Sequence, residues 1–109
     1  MNKLIIIVLS VFLWIGCDDL TNTAIQIPTA QCGMCAMNIE KALGNVKGVK
    51  NAYVDMDQLV AKVLYDENVT KVSVLETAIS SAGYQANETL ADMVAYKNLP
   101  ACCKLPKDQ

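Results

Sequence analysis

The amino-acid sequence predicts one α+β domain with the element order βαββαβ, in which two helices cover one face of a four-stranded antiparallel sheet. The length of 109 residues suits a single domain. Apolar side chains recur with helical spacing in two segments and with strand-like patterns in four others. Short connections rich in glycine, asparagine and aspartate separate these segments, and such connections favour the packing of consecutive elements side by side.

The first half of the predicted domain is a strand, a helix and a second strand. Residues 24–27 form a short β-type run that Pro28 ends. The segment 34–43 is predicted to be an amphipathic helix that stops at Gly44. The apolar side chains that recur at helical spacing are Cys35, Ile39, Ala42 or Leu43, and Val46 just beyond the end of the helix. A strand with two mixed faces follows over 49–56.

The second half repeats this alternation. The run 59–65 is the most β-rich part of the chain, and its composition suits a central strand. Thr70 is predicted to cap a second helix over 72–82, which ends at Gly83. Residues 84–89 are predicted to form a weak final strand. With connections this short, the order corresponds to the split βαβ, ferredoxin-like arrangement.

The charge balance and the residue types exclude several classes of function. Nine lysines oppose eleven acidic residues, so the net charge is −2 and no basic surface for nucleic acid is expected. Histidine is absent, which removes the commonest general base near neutral pH and the commonest nitrogen ligand for metals. We therefore expect no enzymatic turnover. Five cysteines in so short a chain point instead to sulfur chemistry.

The N-terminal segment is predicted to be a targeting signal and not part of the fold. The apolar run 4–15, at about 1.5 Å per residue, is too short to cross a hydrocarbon core of ~30 Å. Gly16 and Cys17 at its end resemble a bacterial lipoprotein signal, in which the cysteine is lipidated. The resemblance implies a signal peptide over 1–16, a lipid on Cys17 and a polar tether over 17–23. We expect an extracytoplasmic protein, on the periplasmic side or the cell surface, that this anchor holds on the membrane.

The motif Cys32-Gly33-Met34-Cys35 lies where the first predicted strand is followed by the first helix. Its spacing brings two sulfurs close enough to bind one ion. The N-terminus of the helix carries a partial positive charge, which lowers the pKa of a thiol and favours the thiolate. Soft thiolates select soft ions. Two such ligands suit Cu(I) or Hg(II), whereas Zn(II) prefers four ligands.

Five features carry a family resemblance: the segment 29–35, the helix with Ile39 and Leu43, the Gly48-Val49 turn, the strand 60–65 and Gly83-Tyr84. Together they resemble the heavy-metal-associated domain family, which includes copper chaperones, metal-binding repeats of metal-pumping ATPases and a periplasmic mercury-binding protein. The resemblance covers 24–89. It implies that Cys32 and Cys35 are the metal ligands and that Tyr84 lies in the loop flanking the site. The family usually has methionine at the position of Ala30, whereas here Met34, inside the motif, is a candidate additional ligand.

The resemblance implies that the protein binds a soft heavy-metal ion, with Cu(I) expected first and Hg(II) next. The ion would be scavenged, or passed to a metal transporter or another metal-binding domain, and we expect a monomer. The alternative is an extracytoplasmic thiol–disulfide protein, because Cys-Gly-x-Cys at a strand–helix junction is also typical of thioredoxins. Against it, the chain after Cys35 is short for that fold, and no proline lies between Pro28 and Pro100 to supply its cis-proline.

The tail, residues 90–109, extends beyond the family domain and carries Cys102 and Cys103. Adjacent cysteines rarely form a mutual disulfide, because the trans peptide holds their Cβ atoms apart. The predicted last strand would carry the chain roughly 16 Å from the metal loop, and residues 90–101 can span ~30 Å and return. We therefore expect Cys102 or Cys103 to come within reach of Cys32 and Cys35, as a further sulfur ligand or a transfer partner.

Overall fold

The computed structural model describes residues 19–109 of the chain. The predicted signal peptide and the lipidation site Cys17 lie outside this range and stay predictions. Within residues 19–109, no helix is both long enough and apolar enough to cross a membrane. This part of the chain folds into three strands, three α-helices and two short 3₁₀ turns.

The elements follow the predicted order as far as the second helix. In chain order they are β1 (Leu20–Gln26), α1 (Gly33–Gly44), β2 (Val49–Asp55), β3 (Val60–Asp66), α2 (Val72–Ser81) and α3 (Met93–Lys97). The 3₁₀ turns follow at Ala101–Cys103 and Pro106–Asp108. The two predicted helices and the second and third strands are confirmed, because their ends differ from the prediction by no more than about one residue.

The sheet is antiparallel, with β3 between β1 and β2. β1 pairs with β3 along its whole length, from Leu20 opposite Asp66 to Gln26 opposite Val60. The strand was predicted to begin at residue 24, and 20–23 to be part of a tether; both boundaries are wrong. The polar segment 20–23 is extended because β3 offers backbone hydrogen-bond partners to all of it, and strand formation depends on such partners more than on local propensity.

The predicted fourth strand over 84–89 is also wrong. The backbone groups of Ala86 and Thr89 hydrogen-bond to each other, at 2.9 Å in both directions, across a turn in which Asn87 has φ 50°. These groups are therefore not available to a neighbouring strand. The segment contacts β1 at Gln26. The Gln26 backbone carbonyl accepts the Asn87 backbone N–H, and the Gln26 backbone N–H donates to Asn87 Oδ1, both at 2.8 Å. The described sheet has three strands, and the chain stays at the end of β1 that leads to the cysteine motif.

One apolar core joins the sheet to α1 and α2. Its fully buried members include Ile25, Ile39, Leu43, Leu75 and Ile79. Burying an aliphatic side chain of this size stabilises a fold by about 1.5–3 kcal/mol. Cys35 and Cys103 belong to the same cluster, so the sulfur-bearing segments at both ends of the domain are anchored in the core.

The second helix begins without the predicted cap. Lys71, and not Thr70, is the N-cap residue, and no side chain caps the first turn. Thr70 donates its backbone N–H to the Asp66 carbonyl, which keeps it in the preceding turn and outside the helix. Its buried hydroxyl has no hydrogen-bond partner among residues 19–109. Helix α2 is therefore held by the packing of Leu75 and Ile79 and not by a side-chain cap.

Alanine is expected to have opposite effects at Gly44, the last residue of α1, and at Gly48, in the turn before β2. Gly48 has φ +98°, and a Cβ there would lie 2.9 Å from Val69 Cβ, so Gly48→Ala should lower the free energy of unfolding by about 1–3 kcal/mol. Gly44 ends α1 with open space around it, so Gly44→Ala should be neutral or stabilise by up to about 1 kcal/mol. Urea denaturation of both variants measures the difference, and equal stabilities would contradict it.

Candidate metal centre

The loop between β1 and α1 is fixed before it reaches the first cysteine. Ile27 is fully buried and Ala30 is 3% exposed. The Ala30 backbone N–H donates to the Ile27 carbonyl at 3.2 Å, which closes a turn. Thr29 Oγ1 accepts the backbone N–H of Gln85 at 3.0 Å and ties the loop to the segment after α2. These contacts hold Cys32 in a defined position at the start of the helix.

Cys32 and Cys35 lie at either end of the first turn of α1. Cys32 is the N-cap residue, with an extended backbone, and it is half-buried. Cys35 is buried on the core face of the helix. Both thiols are free, and their Sγ atoms are 3.6 Å apart. Two sulfurs on one ion, at bonds of about 2.3 Å, lie about 3.8 Å apart at a tetrahedral angle and about 4.6 Å apart on opposite sides, so the pair can share an ion after opening by at most about 1 Å.

The start of α1 favours the thiolate form of Cys32. The backbone N–H of Cys35 lowers the pKa of the Cys32 thiol from 9.0 to about 7, although partial burial acts in the opposite direction. The Cys35 side chain and the backbone N–H of Met34 also lower this pKa. The N–H groups are those that a helix N-terminus leaves without partners in the helix, and the helix dipole favours negative charge at the same place. Cys32 is therefore partly ionised at neutral pH, which is the state that binds metal.

Alkylation of Cys32 is expected to report this ionisation. Because only the thiolate reacts, iodoacetamide should label Cys32 of the folded, metal-free chain with half-maximal rate near pH 7. The urea-denatured chain should need a pH near the ordinary thiol pKa of 9.0. Peptide mass spectrometry identifies the labelled residue. A folded-state midpoint at or above that of the denatured chain would contradict the pKa shift.

Tyr84 lies beside the thiols of Cys35 and Cys103. Its side chain is fully buried, and its hydroxyl accepts the Nδ2–H of Asn38 at 3.1 Å. Burial raises the pKa of Tyr84, and the neighbouring thiols of Cys103 and Cys35 raise it further. The phenol therefore stays neutral, and it packs against the site without competing for an ion.

The tail brings two more sulfurs to the motif. Cys103 Sγ lies 4.0 Å from Cys32 Sγ and 4.0 Å from Cys102 Sγ. The Sγ atoms of Cys32, Cys102 and Cys103 all lie within 4.8 Å of one another. Cys103 is 1% exposed, and burial raises the pKa of its thiol to about 12, whereas Cys102 is exposed. Four free thiols, one of them exposed, are thus grouped at the start of α1.

The tail reaches the cysteine motif without the path out and back that the sequence predicts. Since no fourth strand carries the described chain away, α3 packs directly over the end of α2. The Asp92 backbone N–H donates to the Ser80 carbonyl at 3.0 Å. A Cβ on Gly83 would lie 3.1 Å from both the Ala95 carbonyl carbon and Leu99 Cδ1, so glycine permits this close approach.

Tyr96 holds the end of the tail, a role that the sequence alone did not indicate. Its hydroxyl donates to Asp108 Oδ2 at 2.5 Å and accepts the Leu105 backbone N–H at 3.0 Å. Asp108 raises the pKa of Tyr96, so the phenol remains a donor across the neutral range. These bonds close the chain around the turn Ala101–Cys103. No local pattern marks such a role, because the partners lie 9 and 12 residues away.

Met34, the other candidate ligand, lies at the surface. Its side chain is 49% exposed in the first turn of α1. The grouped donors are cysteines, and the chain has no histidine. The donor set is therefore soft thiolate, which suits a soft ion.

Comparison with known proteins agrees with this donor set. The profile of the heavy-metal-associated domain matches residues 24–85. The copper chaperone CopZ of Staphylococcus haemolyticus is 36% identical over 63 residues, which cover 58% of this chain and 93% of that protein. The mercuric transport protein periplasmic component of Shewanella putrefaciens is 37% identical over 60 residues, which cover 55% of this chain and 66% of that protein. Neither the profile nor these relatives support a thiol–disulfide protein.

A solved structure has the same fold. The Cu(I)-loaded N-terminal domain of a potential copper-translocating P-type ATPase from Bacillus subtilis is 31% identical, with a TM-score of 0.60. The match covers 62% of this chain and 85% of that one. Because the profile match ends at residue 85, Cys102 and Cys103 lie outside it.

Proposed function

This chain belongs to the heavy-metal-associated domain family, and on that premise we propose that it binds Cu(I) through the thiolates of Cys32 and Cys35. The ion is cargo that is taken up, held and released, with no chemical turnover. The observation that carries the proposal is the 3.6 Å separation of the two Sγ atoms at the N-terminus of α1. A bound soft ion would neutralise the Cys32 thiolate that the start of α1 favours.

Cu(I) is favoured by the chemistry of the donors and by the relatives. Thiolates are soft ligands, and the chain has no histidine to attract Zn(II) or Cu(II). A pair of thiolates undersupplies Zn(II), which takes four ligands in structural sites. The CopZ relative and the ATPase domain are both named for copper. The mercuric transport relative makes Hg(II) the second candidate.

We further propose that the ion is handed over between thiols. A partner's thiolate would form a new bond to the ion, and Cys32 or Cys35 would then leave as a thiolate. Cys32 is the accessible member of the pair, since Cys35 is buried, so exchange would begin there. The P-type ATPase domain with the same fold supports a metal transporter as the partner.

We propose that the protein acts outside the cytoplasm, held on a membrane by a lipid on Cys17. The support is the apolar run 4–15 that ends at Gly16-Cys17, together with a relative named as a periplasmic component. Growth of an expressing bacterium with an alkyne fatty acid should label the full chain in the membrane fraction. Cys17→Ser should carry no label, and an unlabelled wild-type chain would contradict the anchor.

The binding proposal is tested with the full chain, reduced, kept free of air and purified in detergent. Titration with Cu(I) against a coloured Cu(I) chelator should give one tightly held Cu(I) per chain, and parallel titrations compare Hg(II) and Zn(II). Chain whose thiols are blocked with N-ethylmaleimide is the control and should hold none. Failure of the unblocked chain to take Cu(I) from the chelator would contradict the proposal. Full affinity in a Cys32→Ser, Cys35→Ser variant would do so as well.

A further inference from the structure

We propose that Cys32, Cys102 and Cys103 form a three-thiolate site, in which the tail retains the ion that the Cys32–Cys35 pair captures. The inference rests on the proposed function, because it concerns the same soft ion. It adds a second set of ligands that shares Cys32 with the first. The tail lies outside the matched family domain, whose profile ends at residue 85.

The distances between the sulfurs fit three ligands on one ion. Three sulfurs in a plane around an ion, at bonds of about 2.3 Å, are about 4.0 Å apart, whereas two sulfurs on opposite sides are about 4.6 Å apart. The Cys32–Cys103 and Cys102–Cys103 separations are each 4.0 Å, and the third separation is within 4.8 Å. The arrangement therefore needs little movement to surround an ion. Each thiol that binds would release its proton to solvent.

Several contacts outside the cysteines hold the tail in this place. Leu99 packs against the core and lies against Gly83. The Cys103 backbone N–H donates to the Pro100 carbonyl at 2.9 Å, which shapes the turn that carries both cysteines. Tyr96 closes the chain beyond the turn through Leu105 and Asp108. The tail sulfurs are thus positioned by the fold before an ion arrives, and preorganised ligands bind at a lower entropic cost.

Sharing Cys32 gives the two sulfur sets different roles. An ion on the Cys32–Cys35 pair keeps an open position that an incoming thiol can attack. An ion held by three sulfurs is more crowded, and one more bond to sulfur must break before it leaves, so it exchanges more slowly. Because Cys32 belongs to both sets, the ion can move between them without leaving the protein. The exposed Cys102 is the sulfur of the three-thiolate site that a partner would reach first.

The test uses Cu(I) on the full chain, with the sulfur coordination number from X-ray absorption and the affinity from chelator competition. Wild type should show three sulfurs. The double variant Cys102→Ser, Cys103→Ser should show two sulfurs on the ion and should release Cu(I) to the chelator faster. Its affinity for Cu(I) should be about 10²-fold lower, because loss of even a residue that supports a metal ligand lowers metal affinity about 10- to 100-fold. Cys35→Ser removes the capturing pair, so it should bind Cu(I) more weakly than wild type, but the bound ion should still show the three sulfurs of Cys32, Cys102 and Cys103. Ala101→Ser, in the same turn, is the matched control and should behave as wild type.

Three results would overturn the inference: two sulfurs in wild type, unchanged affinity in the tail double variant, or loss of the three-sulfur signal in Cys35→Ser. None of these is the failure of the proposed function, in which wild type binds no Cu(I) at all. Because Cys103 is buried, Cys103→Ala with Cys102→Ala is measured alongside the serine variant. Thermal unfolding of both variants shows whether each is folded under the conditions of the titration.

Discussion

Replacing Cys32 with serine is expected to weaken Cu(I) binding by the full chain about 10²- to 10³-fold, more than serine at any other single cysteine. Structural zinc sites with four ligands gain about 10–16 kcal/mol, or about 2.5–4 kcal/mol per ligand, and each 1.4 kcal/mol is a factor of ten. Cys32 is the sulfur that lies 3.6 Å from Cys35 and 4.0 Å from Cys103. Its loss therefore breaks both sets of ligands, whereas serine at Cys35 or Cys102 leaves one set complete.

Chelator competition measures this effect, and Gly33→Ala supplies a matched control within the motif. A Cβ on Gly33 meets nothing within 4 Å, so that variant should keep both sulfurs and the wild-type affinity. Cys32 is only half-buried, so serine there should leave the fold intact, and a thermal melt checks this. A Cys32→Ser variant that binds Cu(I) as tightly as wild type would remove Cys32 from the site.

Replacing Ile39 with alanine is expected to lower the free energy of unfolding by about 2–5 kcal/mol. Ile39 is fully buried one turn after Cys35 on the core face of α1. Its loss leaves a cavity beneath the helix whose first turn presents the thiols. Small domains have only about 5–15 kcal/mol of stability in total, so this change should unfold a sizeable fraction of the chain at modest urea concentration.

Met37→Ala is the matched control for that variant, because Met37 lies in the same helix but is 70% exposed. It should change the free energy of unfolding by less than about 0.5 kcal/mol. Urea denaturation of the metal-free proteins gives both values. The cavity explanation would be wrong if the two variants had the same midpoint and slope.

Elements whose signal is local could be predicted from the residues alone. Cys35, Ile39 and Leu43 recur at helical spacing, and all three are buried on one face of α1. The run predicted to be a central strand contains β-branched residues, and it forms β3, which lies between β1 and β2 in the sheet. Cys32 and Cys35 could be placed at the start of a helix because both the spacing and the helix boundary are read from neighbouring residues.

Features that depend on partners far apart in the chain became visible only in the folded structure. Residues 20–23 are extended because β3 pairs with them, and residues 86–89 are not a strand because they pair with each other. The grouping of Cys103 with Cys32 joins residues 71 positions apart. It results from the early reversal at Asn87 and from the close approach that Gly83 permits. Local patterns report what a segment prefers, whereas such contacts are set by competition among segments for the same backbone donors, acceptors and core space.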